Sequence, residues 1–160
     1  MSIASPLLSA QCTINAPAAV VWAKLSDLSA MGARSPQCMK MISFGSPNNM
    51  VGSLTLNLNR RGPLWWPTFS VITEWFEPRV LEFRIPINGT RWRYTLTEDT
   101  TPDGQTVTHV THERLVQGDT TKLSRALVAI AMGGNESFEQ ELINGMNQTL
   151  AALTQDSEQS

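Results

Sequence analysis

The sequence predicts an α+β domain in which a curved antiparallel sheet of about seven strands wraps around one long C-terminal helix, with two short helices after the first strand. Three observations predict it. Between residues 39 and 116, apolar side chains recur at every second position in one segment after another, the period of half-buried strands. From Thr120 to Gln155 they recur three or four apart instead, as in Leu142, Met146, Leu150 and Leu153, the period of a helix. Strictly alternating strands bury one face only, so something must cover that face, and the long helix is the cover.

The elements follow in order. Leu7–Ile14 ("LLSAQCTI") alternates loosely and reads as a strand. "NAPAAVVWAKLSD" (Asn15–Asp27) reads as a helix, with Asn15 as its cap, Pro17 in its first turn and Val20, Val21, Lys24 and Leu25 at helical spacing beside Trp22. "LSAMGARSP" (Leu28–Pro36) is a second short helix or turn, halted by Gly32 and Pro36. Strands are expected at Met39–Gly45 and at Val51–Asn59, where Leu54, Leu56 and Leu58 share a face. "RRGPLWWP" reads as a loop carrying two tryptophans. Thr68–Phe76 groups Phe69, Val71, Thr73 and Trp75, and after the "EPR" turn Val80–Pro86 groups Leu81, Phe83 and Ile85. Asn88-Gly89 is a hairpin signal, and the last two strands join near "TPDGQ", with Trp92, Tyr94 and Leu96 on one side. Gly133-Gly134 should kink or break the C-terminal helix, and the polar tail from Asp156 should fray.

Composition narrows the function. A chain of 160 residues fits one domain, 1–160, with its core at about 7–154, and it can bury that core without metal or disulfide help. Net charge is −2 with 16% charged residues, which leaves no basic excess for phosphates and argues against nucleic acid and against an electrostatic membrane anchor. The most apolar window, Ala126–Met132, falls far short of the roughly 18 residues of a membrane span, so stable membrane insertion is not expected. There is no signal-peptide pattern, and Cys12 and Cys38 are too few for a disulfide framework, so two reduced thiols in a cytoplasmic protein are expected.

Four stretches carry a family resemblance: "INAPAAVVWAKLSDL", with Pro17, Val21, Trp22 and Asp27; "SVITEWFEPRVLEFR"; "TRWRYTLTE…DGQTVTH"; and "GGNESFEQELINGMNQTLAAL", with Gly145-Met146 and Thr149-Leu150. In this order they resemble the START-like, helix-grip superfamily, and within it the bacterial polyketide cyclase/dehydrase and lipid-transport (SRPBCC) group. The likeness spans about residues 7–154. It implies a helix-grip fold and a central apolar cavity for a lipid, polyketide, steroid or other small hydrophobic molecule. The superfamily includes carriers and true cyclases, and fold does not choose between them.

Each candidate residue also has a plainer role. Trp92 and Tyr94 are either core packing or cavity wall, and a pocket in this fold is a core left incompletely filled. Trp65 and Trp66 cannot both face inward, so one belongs at the surface or at a pocket mouth. The expected ligand wall comprises Trp65, Phe69, Val71, Trp75, Phe83, Trp92, Tyr94 and His112 from the sheet, with Met132, Phe138, Leu142 and Met146 from the helix. Cavity volume separates the binding readings from a collapsed interaction module, since below a few hundred Å³ there is little room for a ligand.

His109 and His112 lie three apart on a strand and so point to opposite faces. No zinc-like spacing of Cys, His, Asp and Glu occurs, and neither a metal nor another cofactor is expected. Apolar residues sit on both faces of that last strand, so alternation leaves its inner face open; register against the family favours His112 and Arg114. No Gly-x-Ser-x-Gly elbow or phosphate-cradling loop is present. Glu74 and Glu82 should face water, as should Arg91 and Arg93. The only catalytic candidates are Tyr94, His112 and Arg114. Noncatalytic binding or transport of a small hydrophobic ligand therefore leads. A polyketide cyclase, aromatase or dehydratase stands second, and an interaction module with a collapsed cavity third. The oligomeric state is left open.

Overall fold

A computed structural model describes residues 7–35, 38–44, 51–87, 89–116 and 135–159. Strand β1 (Leu7–Ile14) leads into helix α1 (Ala18–Leu25), a 3-10 turn at Leu28–Ala30 and the single-turn helix α2 (Met31–Arg34). Six strands follow: β2 (Cys38–Phe44), β3 (Leu54–Arg61), β4 (Leu64–Phe76), β5 (Val80–Ile85), β6 (Thr90–Thr100) and β7 (Thr106–Val116). Helix α3 (Asn135–Glu158) closes the chain. The seven strands form one antiparallel sheet in the order β1-β7-β6-β5-β4-β3-β2, so every strand from β2 to β7 neighbours the next along the chain. With the C-terminal helix laid across it, this is the helix-grip arrangement.

The core forms where α3 meets the β1 half of the sheet. Leu142, Met146, Leu150 and Leu153 of α3 join Leu8, Ala10 and Ile14 of β1 and Val21, Trp22 and Leu25 of α1 in one buried cluster. Trp22 meets Trp75 edge to face at 5.3 Å, which ties α1 to the bent end of β4.

Several expectations need correction. Asn15 does not cap α1: Pro17 occupies the cap position, and the Ala18 backbone N–H donates instead to Glu98 Oε1 at 3.0 Å. "RRGPLWWP" is a hairpin, since β3 runs through Arg61 and β4 begins at Leu64, with Gly62 at φ 58° in the turn between them. The tail does not fray at Asp156. Helix α3 continues to Glu158, where Asp156 pairs with Arg34 at 2.9 Å and Glu158 accepts from the Asn15 backbone at 2.8 Å. Glu82 does not face water: it is 1% exposed, held by Arg93 at 2.6 Å, Arg91 at 3.4 Å and Thr73 at 2.8 Å. Arg91 and Arg93 do lie on the outer face of the sheet, but they lean over this carboxylate rather than standing free. The Gly133-Gly134 break lies outside the described residues.

The largest correction concerns which face of β3 and β4 looks inward. Ile72 lies opposite inward-facing Phe83, so Ser70 and Thr68, two and four residues back, also face in. Ser70 pairs with Thr55 and Thr68 with Asn57, which carries the polar positions of β3 inward as well. Leu54, Leu56 and Leu58 do share a face, but it is the outer one, next to Phe69 and to Ile42 and Phe44 of β2. An irregularity between Ile72 and Glu74 then resets the alternation, so Trp75 turns inward although Phe69 and Val71 point out.

Candidate functional site

Between the sheet and α3, away from the fully packed β1 end, lies a cavity of about 100 Å³. That lies below the few hundred Å³ that leaves room for a ligand, so volume alone favours the collapsed-cavity reading. Two unlike walls enclose it. One is the inner face of β5, β6 and β7, with Phe83, Ile85, Trp92, Tyr94 and His112. The other is polar, with Asn57 and Asn59 from β3 and Thr68 from β4. Helices α2 and α3 and strand β2 complete it with Met31, Met41, Cys38, Ser35, Leu142, Gly145, Met146 and Thr149. Gly145 also borders a more open groove of about 500 Å³, lined by Arg60, Arg61, Glu141 and Gln148. Arg61 pairs with Glu141 there, its Nε donating at 2.6 Å, so the pair joins the β3–β4 hairpin to α3.

The aromatic wall follows from register. Tyr94 sits opposite His112, and Trp92 opposite Arg114, so a period of two brings all four to one face. The His112 ring stacks on Tyr94 with centroids 3.9 Å apart and planes 14° from parallel. Trp92 flanks it at 5.7 Å. His112 is 4% exposed, and neither ring nitrogen has a hydrogen-bond partner among the described residues. Such unsatisfied buried polar atoms are uncommon and costly in a folded protein. The Trp92 indole N–H is also without a partner. Among the described residues Tyr94 Oη finds only the Met31 sulfur, at 3.9 Å.

Electrostatics make the cavity neutral. Burial lowers the His112 pKa to about 3, because the imidazolium would have to form away from water. Burial pushes the Cys38 thiol up to about 11 and the Tyr94 phenol well above its ordinary range. At neutral pH all three carry no charge, and the remaining lining side chains are not titratable. Arg114 is buried on the same inner face, with Nη1 unpartnered; burial lowers its pKa, while the nearby Glu139 carboxylate works in the opposite sense. It does not line the cavity.

The expected site residues therefore divide. Phe83, Trp92, Tyr94, His112, Leu142 and Met146 come together around the cavity. Trp65 does not: it lies on the outer face, 48% exposed, beneath the Arg60 guanidinium. Phe69 is 56% exposed on that same face, and Val71 accompanies it, because the register of β4 turns them away from α3. Trp75 is spent on packing against Trp22. Met132 and the Phe138 side chain lie outside the described residues. Sequence reasoning missed Asn57, Asn59 and Thr68. Their signal was present, since the asparagines alternate with the leucines of "LTLNLN", but hydrophobicity assigned the leucines to the interior. His109 lies on the outer face, between Thr13 at 2.9 Å and Asp99 at 3.4 Å. Among the described residues, no three His, Cys, Asp or Glu side chains gather as metal ligands would, and no helix is long and apolar enough to cross a membrane.

Comparison with known proteins places this geometry. No match was found among curated proteins. Among solved structures, the chain is similar to the di-domain ARO/CYC StfQ of the steffimycin biosynthetic pathway, with a TM-score of 0.68 at 10% identity, over 96% of this chain and 51% of that one. It spans about half the length of that protein and of BexL, another di-domain ARO/CYC. The Zhui aromatase/cyclase from Streptomyces sp. R1128 superposes with a TM-score of 0.65 at 18% identity, over 95% of this chain and 93% of that one. The polyketide-cyclase-like protein Cgl2372 from Corynebacterium glutamicum gives 0.58 at 22% identity, over 94% and 90%. At these identities the likeness is one of fold. Residues 6–152 match the family described as polyketide cyclase / dehydrase and lipid transport, and the chain belongs to that family.

Proposed function

We propose that this protein binds a small, uncharged, largely apolar molecule between its sheet and α3, as a carrier or receptor rather than a catalyst. One observation carries the reading: the described residues that line the cavity are all neutral, yet among them is a buried imidazole whose nitrogens have no partner among the described residues. Apolar contact would supply affinity at about 25 cal/mol per Å² of surface buried, before ordering costs. The cavity of about 100 Å³ is smaller than an engineered cavity of about 150 Å³ that takes up benzene, so it would admit only one end of a ligand unless it widens.

The second reading is enzymatic, a cyclase or dehydratase acting on a polyketide-like substrate. The family and the aromatase/cyclase neighbours favour it. Such chemistry needs a base at an acidic C–H and a donor for the enolate oxygen. His112 and Tyr94 are the available groups in the cavity, with Arg114 beside them. An imidazole with a pKa near 3 is a poor base at neutral pH, and the phenol is stacked rather than hydrogen-bonded to it, so binding ranks first.

The test is calorimetric titration with a panel of fatty acids, sterols and aromatic polyketide-type compounds, followed by chromatography of each recovered ligand. Saturable one-to-one binding with every ligand recovered unchanged is expected. Stoichiometric conversion of a bound compound would establish the enzymatic reading. No heat with any member would leave the cavity as incompletely packed core.

A further inference from the structure

We infer that this protein pairs with a second copy of itself through the outer face of β2, β3 and β4, the two sheets stacking face to face about a two-fold axis. The inference is independent of what the cavity holds, because the cavity lies on the other face of the sheet, beneath α3.

That outer face is apolar across three strands. Pairing sets Phe44, Leu54 and Val71 in one row and Ile42, Leu56 and Phe69 in the next. Leu58 and Trp65 carry the face toward the β3–β4 turn. Ile42, Phe44, Leu54, Leu58, Trp65 and Phe69 are each 38–56% exposed. At about 200 Å² for a large side chain in full, these six leave about 550 Å² of apolar surface in water. The fold gains nothing from that exposure, since α3 packs on the opposite face.

The area is what a second copy needs. A standard interface takes about 800 Å² from each partner, of which about 65% is apolar in homodimers. The face of about 550 Å² meets that requirement, and it stands at the upper end of the patches of about 300–600 Å² that monomers carry. Sheets stack about 10 Å apart with their strands within about 30° of alignment, so the side chains of two copies would interdigitate as one layer.

Charge fixes the partner and its orientation. Exposed Arg60 ends the face on β3, four residues beyond Leu56, with Lys40 nearby opposite Leu58. Exposed Glu74 ends it on β4 in the other direction, opposite outer-facing Glu82. Glu74 lies five residues beyond Phe69, one of which the irregularity after Ile72 takes up. Both charges therefore stand about 13 Å from the row of Leu56 and Phe69, at about 3.3 Å per residue. A two-fold axis along that row reverses one copy against the other and brings Arg60 of each level with Glu74 of the other. Arg84 borders the face beside Val71 and stays at the solvated rim. A bilayer surface would meet Glu74 as well as Lys40 and Arg60, and a net charge of −2 gives it no wider attraction.

Sedimentation equilibrium of the full chain from about 1 to about 500 μM tests this. The wild type should dimerise with a constant of some tens of micromolar (~10–100 μM), so that work below about 1 μM reads the single copy. Phe69→Glu sets like charges against each other at the axis and should weaken the dimer at least about a hundredfold. Phe69 is exposed in each copy, so the variant should fold as the wild type does. Arg60→Glu and Glu74→Arg should each weaken the dimer about tenfold, and Arg60→Glu/Glu74→Arg together should restore the wild-type constant within about threefold. A wild type that stays monomeric to about 500 μM would overturn the inference, and its capture by phosphatidylglycerol vesicles would then assign the face to a membrane. A dimer indifferent to Phe69→Glu would overturn the choice of face, and one that the double swap fails to restore would overturn the orientation. The wild-type measurement needs no variant, so a misfolded mutant does not shield the proposal.

Discussion

Replacing His112 with phenylalanine should make the protein less sensitive to acid. The histidine is buried against Tyr94 at 3.9 Å, with no partner for either nitrogen. Its pKa falls from the ordinary 6.5 to about 3, and burial is the cause. Because the folded value is the lower one, the unfolded chain takes up the proton first as pH falls. Stability is therefore unaffected by this group above about pH 6.5 and is lost progressively between there and about pH 3. Each pH step costs about 1.4 kcal/mol, so about 3 kcal/mol is lost by about pH 4.5. That is a large part of the stability of an ordinary domain. Urea unfolding of wild type and His112→Phe at about pH 7 and about pH 4.5 isolates the effect, since the carboxylates titrate in both proteins. The wild type should lose about 3 kcal/mol more than the variant across this interval. At neutral pH the variant should be as stable as wild type or more so, because an unsatisfied polar ring has been exchanged for an apolar one. Equal losses in the two proteins would mean that His112 is hydrated or partnered in solution, and the argument for a neutral cavity would fail.

Three further substitutions probe the account. Arg91→Ala/Arg93→Ala removes both cations from the buried Glu82 carboxylate and should cost about 3 kcal/mol or more in urea unfolding; a loss under about 0.5 kcal/mol would show that this carboxylate reaches water. Tyr94→Phe deletes a hydroxyl whose only partner is the Met31 sulfur at 3.9 Å, so stability should change by less than about 1 kcal/mol, and a larger loss would reveal a stronger partner. Phe69→Ser alters an exposed outer-face side chain and should leave both ligand affinity and stability nearly unchanged, within about 0.5 kcal/mol; weakened binding would place the outer face of the sheet in the site.

How far the sequence carried the structure depended on whether a signal was local. The bounds of β1 and the β6–β7 hairpin were legible because alternation and the Asp-Gly turn are read within a few residues. Alternation put Trp92 and Tyr94 on one side of their strand, whereas the face of His112 on the next strand could be read only from register against the family; the pairing of Tyr94 with His112 brings the three together. Strands β3 and β4 failed differently. Their period was plain, but a period of two names two faces without saying which is inside. Hydrophobicity chose Leu54, Leu56, Leu58 and Phe69; pairing through Phe83 and Ile72, with an irregularity before Glu74, chose Asn57, Asn59 and Thr68. Glu82 was misread for a related reason. Nothing adjacent to it foretells burial, because the groups that cover it come from β6 and from Thr73. The same holds for the last turn of α3, which is anchored by Arg34 from far earlier in the chain. The smaller cavity reflects how closely the aromatic wall and the methionines approach, a matter of packing that composition does not encode.

The central claim is that the cavity receives an uncharged small molecule. Native mass spectrometry of the protein as purified from its own host, followed by solvent extraction and identification of what it releases, tests that claim most directly. The account predicts a one-to-one adduct, released on extraction as an uncharged, largely apolar small molecule. Release of a long-chain fatty acid would contradict the neutral-ligand claim. Protein that arrives empty and takes up no member of a lipid and aromatic panel would contradict the binding claim itself.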